Sequence, residues 1–213
     1  MLFEITFKTI CKETIMSKSH EVKQKIIQST KSLLKQNGQI TIKDIADACY
    51  INIAAVNYHF GSKDALLTIV IEDIIEEIQT LTKKTLETLP NTTPPEEILK
   101  IMIDTIYTFT TENIGIIKHL FLNEKTQDKH ATHLINAFFT QSSFKEIILN
   151  HLSESTHIND KETLEAKYML LFSSFTLPFF LQIVTDNDPQ QINTLKQSSF
   201  REKYIKELLK IIQ

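Results

Sequence analysis

A chain of 213 residues with 42% hydrophobic side chains, three glycines and five prolines is long enough for a small module plus one helical domain, and too poor in turn residues for a β protein. The expected fold class is therefore all-α. A net charge of −3 excludes a uniformly basic nucleic-acid coat, and two cysteines, Cys11 and Cys49, are too few and too badly spaced for a zinc site or a disulfide framework. That usage fits a reducing, cytoplasmic setting. The first fifteen residues lack the apolar core of a secretory leader, and no stretch is expected to reach transmembrane length, so no membrane partner is expected.

Residues 1 to 15, MLFEITFKTICKETI, alternate apolar and polar side chains without a nearby partner. Three readings stay open for them: a helix prolonging helix one, a disordered arm, or an upstream start ahead of Met16. The expected organisation is an N-terminal extension over 1–17, a small helical module over 18–64, which the stretch from Thr41 to Leu66 marks as DNA-binding, and a helical domain over 65–213.

The informative stretch is Thr41 to Leu66, TIKDIADACYINIAAVNYHFGSKDAL, which predicts two short helices around a tight turn and a third helix start. Thr41 is an N-cap type and Asp44 places negative charge in the first turn, so a helix begins near Ile42. Ile42, Ile45, Ala46 and Cys49 form its apolar face. Tyr50 and Ile51 make the turn, and Asn52 caps a nearly uncharged helix over Ile53 to Phe60. Val56 and Phe60 face the core, whereas small Ala54 and Ala55 permit close approach to a major groove. Asn57 carries the amide geometry that pairs with adenine N6 and N7. Gly61 ends the helix, Ser62 caps the next, and Lys63 stands at its phosphate-attracting start.

The run IADACYINIAAVNYHFGSKDALL resembles the helix-turn-helix signature of the TetR family of transcriptional regulators. The resemblance covers roughly residues 20 to 67, and it implies a helical effector-binding and dimerisation domain beyond them. It further implies DNA contacts at Thr41, Asn52, Ala55, Asn57, Tyr58, His59 and Lys63, with Tyr58, His59 and Lys63 on phosphates; Lys43 and Ala54 complete the candidate set. Two departures stand out. Tyr50 occupies the turn position where the family usually has glycine, and Asn57 occupies one where an aromatic residue is common.

Charge distribution agrees with a DNA-facing module. Residues 18 to 65 hold seven lysines against four acidic residues, a local balance of +3 that leaves −6 elsewhere. The only arginine is Arg201, so the bidentate arginine–guanine contact is missing from the module and an A·T-rich half-site is expected. Cys49 reads as a small core residue rather than a redox sensor.

Beyond Asp64 a helix is expected to about Leu89, ended by Pro90-Asn91-Thr92-Thr93-Pro94-Pro95. Helices are expected over Glu96–Glu112, Ile116–Asn123, Lys129–Leu152, Lys161–Thr185 and Gln190–Ile212, with Pro178 kinking or breaking its helix. Apolar stripes at Leu164, Tyr168, Leu171, Phe175 and Phe179, and at Phe200, Tyr204, Leu208 and Ile211, suit either a four-helix dimer interface or internal core. The interface set taken is Leu164, Tyr168, Leu171, Phe200, Tyr204 and Leu208. Aromatic and polar residues of the same domain, namely Tyr107, Phe109, His119, Phe121, Phe138, Phe139, Phe172, Phe175 and Thr176, are candidates for an effector pocket as well as for plain core.

His119, Glu124, Asp128, His130 and His133 offer only a weak metal pattern, and no metal or cofactor is expected. Glu76 and Glu77 are sequence neighbours that point apart on a helix, and no phosphate loop or nucleophile motif occurs, so no enzyme is expected. The functional expectation is a TetR-type regulator, most simply a repressor that binds a palindromic double-stranded operator as a homodimer and is released by an apolar or aromatic effector. A helical protein-interaction module and an activator of the same family are the alternatives.

Overall fold

The computed structural model describes residues 2–122, 127–140, 142–185 and 195–212, and within them the side chains of 19–120, 132–140, 142–184 and 195–212. The described residues form ten α-helices and no strand, so the chain is all-α. It divides into two compact units, Met1–Ile71 and Glu72–Gln213.

The first unit holds α1 (Leu2–Asn37), α2 (Ile42–Cys49), α3 (Ile53–Phe60) and the start of α4 (Lys63–Glu87). Of the three readings of the N-terminal segment, the helical one is found: α1 runs without a break from Leu2. Gly38, at φ +66°, ends it in the left-handed region that glycine enters without a Cβ clash.

Helices of eight residues do not persist alone in water, so α2 and α3 depend on burial and on their caps. Helix α2 packs against both α1 and α3. Ile45, Ala46 and Cys49 of α2, Val56 and Phe60 of α3, and Ile26 and Leu34 of α1 are all buried. At the start of α2 the Thr41 backbone N–H donates to Asp44 Oδ2 at 2.7 Å, while the Asp44 N–H donates to Thr41 Oγ1 at 3.2 Å. This reciprocal box satisfies two donors that a helix start leaves open. Hydrogen bonds from the Thr41 hydroxyl and N–H hold the Asp44 carboxyl below the usual carboxylate range. The folded state is favoured by that shift above the ordinary carboxylate pKa, and the benefit is lost as pH falls through the lowered one.

Tyr50 closes α2 at φ +56°, and the Ile51 N–H reaches back to the Ala46 carbonyl at 3.0 Å. Lys25 braces this turn from α1: its ammonium donates to the Cys49 carbonyl at 3.0 Å and lies 5.8 Å from the centre of the Tyr50 ring.

The second unit contains the rest of α4, α5 (Pro95–Glu112), α6 (Ile114–Leu122), α7 (Gln127–Phe139), α8 (Ser143–Thr156), α9 (Lys161–Thr185) and α10 (Ser198–Ile212). Helix α5 starts at Pro95, where the missing N–H costs nothing, and packs on α8 and α10. The single helix expected over Lys129–Leu152 is two. Ser142 interrupts it by accepting the Lys145 N–H at 3.2 Å, a capping bond that a serine offers in competition with helix continuation. Helix α10 begins at Ser198 rather than Gln190, which lies outside the described residues.

Two further expectations are corrected in α9. Of the kink or break expected at Pro178, the break is overturned: the helix continues through it. Proline lacks the N–H that would serve the Ser174 carbonyl four residues back, and the Tyr204 hydroxyl of α10 donates to that carbonyl at 2.8 Å. The Ser174 hydroxyl donates to the Leu171 carbonyl at 2.6 Å, so the contact of 2.5 Å between Tyr107 Oη and Ser174 Oγ has the tyrosine as donor. Burial raises the pKa of both Tyr107 and Tyr204, keeping each phenol a donor at neutral pH. The second correction concerns length. Lys161–Val184 is long and apolar enough to cross a membrane by length and composition, because residues 168–185 carry no charge. Its inner face nonetheless belongs to the unit's core, with Tyr168, Leu171, Phe175 and Phe179 buried and the Tyr168 hydroxyl bonded to the Phe138 carbonyl.

Tyr204→Phe leaves the Ser174 carbonyl without its donor and is expected to destabilise the protein by about 1–2 kcal/mol in denaturant unfolding. Tyr50→Gly removes a left-handed-backbone cost of about 1–2 kcal/mol and, against it, the ring contact with Lys25, worth roughly 0.5 kcal/mol. A net gain of about 0.5–1.5 kcal/mol, read as a higher denaturation midpoint, is the expected outcome.

Candidate nucleic-acid interface

The caps that make α2 and α3 stable also decide which side chains are presented outward. Asn52 turns its side-chain oxygen onto the Ala55 N–H at 2.7 Å, so its oxygen is engaged in capping and its amide N–H groups remain for a partner. Thr41 is engaged similarly: its hydroxyl donates its one proton to Asp44 at 2.7 Å. Along α3, Ala54, Asn57 and Tyr58 are exposed, while Ala55 and His59 are half-buried. Tyr58 and His59 meet edge to face with ring centres 5.2 Å apart. The outward face of α3 carries no formal charge and ends at Gly61, at φ +75°.

Positive charge sits beside this face instead of on it. Ser62 caps α4 by accepting the Ala65 N–H at 3.1 Å, which places Lys63 in the first turn. Its ammonium donates to the Ile40 carbonyl at 2.6 Å, bringing it to the entrance of α2, where Lys43 is exposed. Lys43 and Lys63 both lower the Asp44 pKa by Coulomb attraction, which marks one corner shared by Thr41, Lys43, Asp44 and Lys63. A lysine bonded once through its ammonium keeps two further donors.

One residue of this surface was assigned no role in the sequence. Ile53, the first residue of α3, is 42% exposed although its spacing from Val56 and Phe60 puts it on the core face by periodicity. A helical side chain leans toward the N-terminal end, so a first-turn residue projects past the neighbours that would have covered it.

The aromatic candidates of the second unit pack ring on ring. Tyr107 is fully buried, 4.0 Å from Phe175 and 6.1 Å from Tyr204 between ring centres. Phe172 links Phe175 to Phe138 and Phe139, at 5.7, 6.0 and 5.1 Å. Phe109 and His119 are buried, whereas Thr176 is exposed on the far side of α9 and does not join the cluster. The Phe121 side chain lies outside the described residues. The side-chain oxygens of Asn113 and Gln182 are buried with no hydrogen-bond partner among the described residues.

The dimer candidates are redistributed. Tyr168, Leu171 and Leu208 are buried within their own chain and Leu164, Phe200 and Tyr204 are half-buried, so the expected stripe turns inward. The outward apolar stripe of α9 is Met169, Leu177, Phe180 and Val184, all exposed. Of the weak metal pattern, Glu124 and the side chains of Asp128 and His130 lie outside the described residues, and His133 pairs with Glu72 at 3.4 Å. Among the described residues no group of three or more His, Cys, Asp or Glu side chains is placed to hold a metal ion.

Residues 26–69 match the family model described as bacterial regulatory proteins, tetR family. None of the curated proteins matches the chain significantly. Among solved structures, a TetR transcription regulator from Haloarcula marismortui aligns with a TM-score of 0.69 at 17% identity, over 90% of this chain and 98% of its own. A tetR-family transcriptional regulator from Streptomyces coelicolor aligns at 0.64 and 14% identity, over 91% and 79%. RolR in complex with the ligand resorcinol aligns at 0.53 and 15% identity, over 92% and 89%. These likenesses establish a shared fold along nearly the whole chain. Residues 26–69 thus carry the helix-turn-helix of the tetR family, and the chain shares the fold of the solved TetR regulators along nearly its whole length.

Proposed function

We propose that the protein binds a near-palindromic, A·T-rich operator as a homodimer, blocks transcription in the cytoplasm, and releases the DNA when a small apolar or aromatic effector binds its second unit. The observation that carries the reading is the capped, uncharged α3 with Asn57 outward and the lysines at its borders. Asn57 is the candidate adenine reader. Tyr58, His59, Lys43 and Lys63, with the free amide N–H of Asn52, are candidates for the phosphates, and Ala54 and Ala55 for close approach to the bases.

For the dimer, the exposed stripe on α9 supplies an apolar surface that a second copy would cover around a two-fold axis, presenting two copies of α3 to half-sites about a helical turn apart or a multiple of it. For the effector, the aromatic interior favours an apolar ring, and the unpartnered oxygens of Asn113 and Gln182 favour one that carries a hydrogen-bond donor. Resorcinol, the ligand of the RolR structure, has that character. Release follows if the effector prefers the conformer with mismatched recognition helices, with α4, which starts in one unit and ends in the other, as the lever.

In vitro selection of random duplexes by the purified protein, followed by titrations at two salt concentrations, tests the reading; a palindromic winner bound with a steep salt dependence supports it, and no enrichment overturns it. Lys63→Ala is expected to weaken all sequences alike and lower the salt slope by about one, whereas Asn57→Ala relaxes sequence preference with the slope unchanged. Phe180→Glu is expected to give a helical monomer by light scattering and to weaken operator binding about a hundredfold or more, since the second half-site no longer binds as part of the same molecule.

A further inference from the structure

We infer that Ile53 is a sequence-reading residue whose side chain packs on the C5-methyl group of a thymine one or two base steps from the adenine read by Asn57; the inference rests on the operator-binding reading above. Ile53 is a large aliphatic residue left 42% exposed at the first position of α3, where its side chain projects past the core and is open to a partner. Its occupant is indicated by its surroundings. Asn57 lies one helical turn further on, at the i+4 position of the same exposed face, and Ala54 is exposed beside them. Side chains four apart on a helix have Cβ atoms about 5–6 Å apart, which spans between one and two base steps of roughly 3.4 Å. A polar amide and an aliphatic side chain at that spacing match an adenine edge and a thymine methyl on neighbouring pairs.

Chemistry narrows the partner further. The first unit contains no arginine, and its exposed recognition face carries no charge, so base discrimination there rests on an amide, a phenol and apolar contacts. In the major groove the thymine methyl is the one apolar group that distinguishes a base pair. The Asn52 side chain, which precedes Ile53, is folded back onto the Ala55 N–H and leaves the front of the helix to Ile53.

The test removes one methyl at a time. Each thymine of the selected operator is replaced by deoxyuridine, which differs only at C5, and the duplexes are titrated with the wild-type protein and with Ile53→Ala, a helix-favouring change at an exposed site. One thymine per half-site, within two steps of the adenine on which Asn57→Ala acts, is expected to give about three- to fourfold weaker binding per lost methyl, the increment of one buried methyl group. The same replacement is expected to have no effect on Ile53→Ala, and Ile53→Val is expected to keep part of it. A wild-type protein indifferent to every replacement, or equal losses in wild type and Ile53→Ala, overturns this inference while leaving operator binding in place. A selection that yields no preferred duplex overturns the operator reading and this inference with it.

Discussion

Two eight-residue helices must hold their shape without the length that would stabilise them, and the first unit is organised around that constraint. Burial of Ile45, Ala46, Val56 and Phe60 fixes α2 and α3 along their inner faces, while the Thr41–Asp44 box and the Asn52 side chain close their open ends. The turn between them is tight enough to demand a left-handed residue, and the chain supplies tyrosine. Lys25 answers from α1 by bonding the last carbonyl of α2 and covering the ring. The same groups that cap the helices therefore orient them. Asn52 and Thr41 make caps with the oxygens that a simpler account would assign to DNA.

A comparable economy operates around Pro178. A proline inside a 25-residue helix leaves one carbonyl without its usual donor, and a buried carbonyl without a donor is costly. Tyr204 supplies that donor from α10, and Tyr107 bonds the hydroxyl of the same Ser174 from α5. Three helices thus meet on one residue. The ion pair of Arg201 with Asp104, at 2.8 Å, sits one turn before the Tyr204 and Tyr107 positions and fixes α10 against α5 in register. Aromatic stacking alone would permit sliding; directional bonds at Ser174 do not.

The first unit was legible in the sequence because its structure is set by local rules. Cap types at Thr41, Asn52 and Ser62, glycine at 61 and the apolar spacing of Ile45 to Cys49 each have one structural reading, and all are found. The family model covers the same stretch. The second unit was less legible because helical spacing says that a face is apolar without saying what covers it. Tyr168, Leu171 and Leu208 satisfy the pattern of an interface and are core, whereas the outward stripe from Met169 to Val184 was hidden by a segment apolar on every side. The break at Ser142 leaves no clear mark in the sequence because serine is tolerated inside helices as well as at their starts. Ile53 is obscured for the opposite reason. Periodicity placed it with the core, and only its position at the first turn leaves it exposed.

The division of charge in the module separates how tightly DNA would be held from which DNA is chosen. Lys43 and Lys63 stand at helix starts beside α3, where attraction to phosphates depends on ionic strength and little on sequence. The outward face of α3 itself offers an amide, a phenol and apolar groups, whose contacts depend on base identity and little on salt. An arginine on that face would have merged the two functions, since a guanidinium binds phosphate and guanine alike. With lysines confined to the borders, the proposed operator reading has changes in salt shift affinity for every sequence together and leaves discrimination to Asn57, Ile53 and their neighbours on α3.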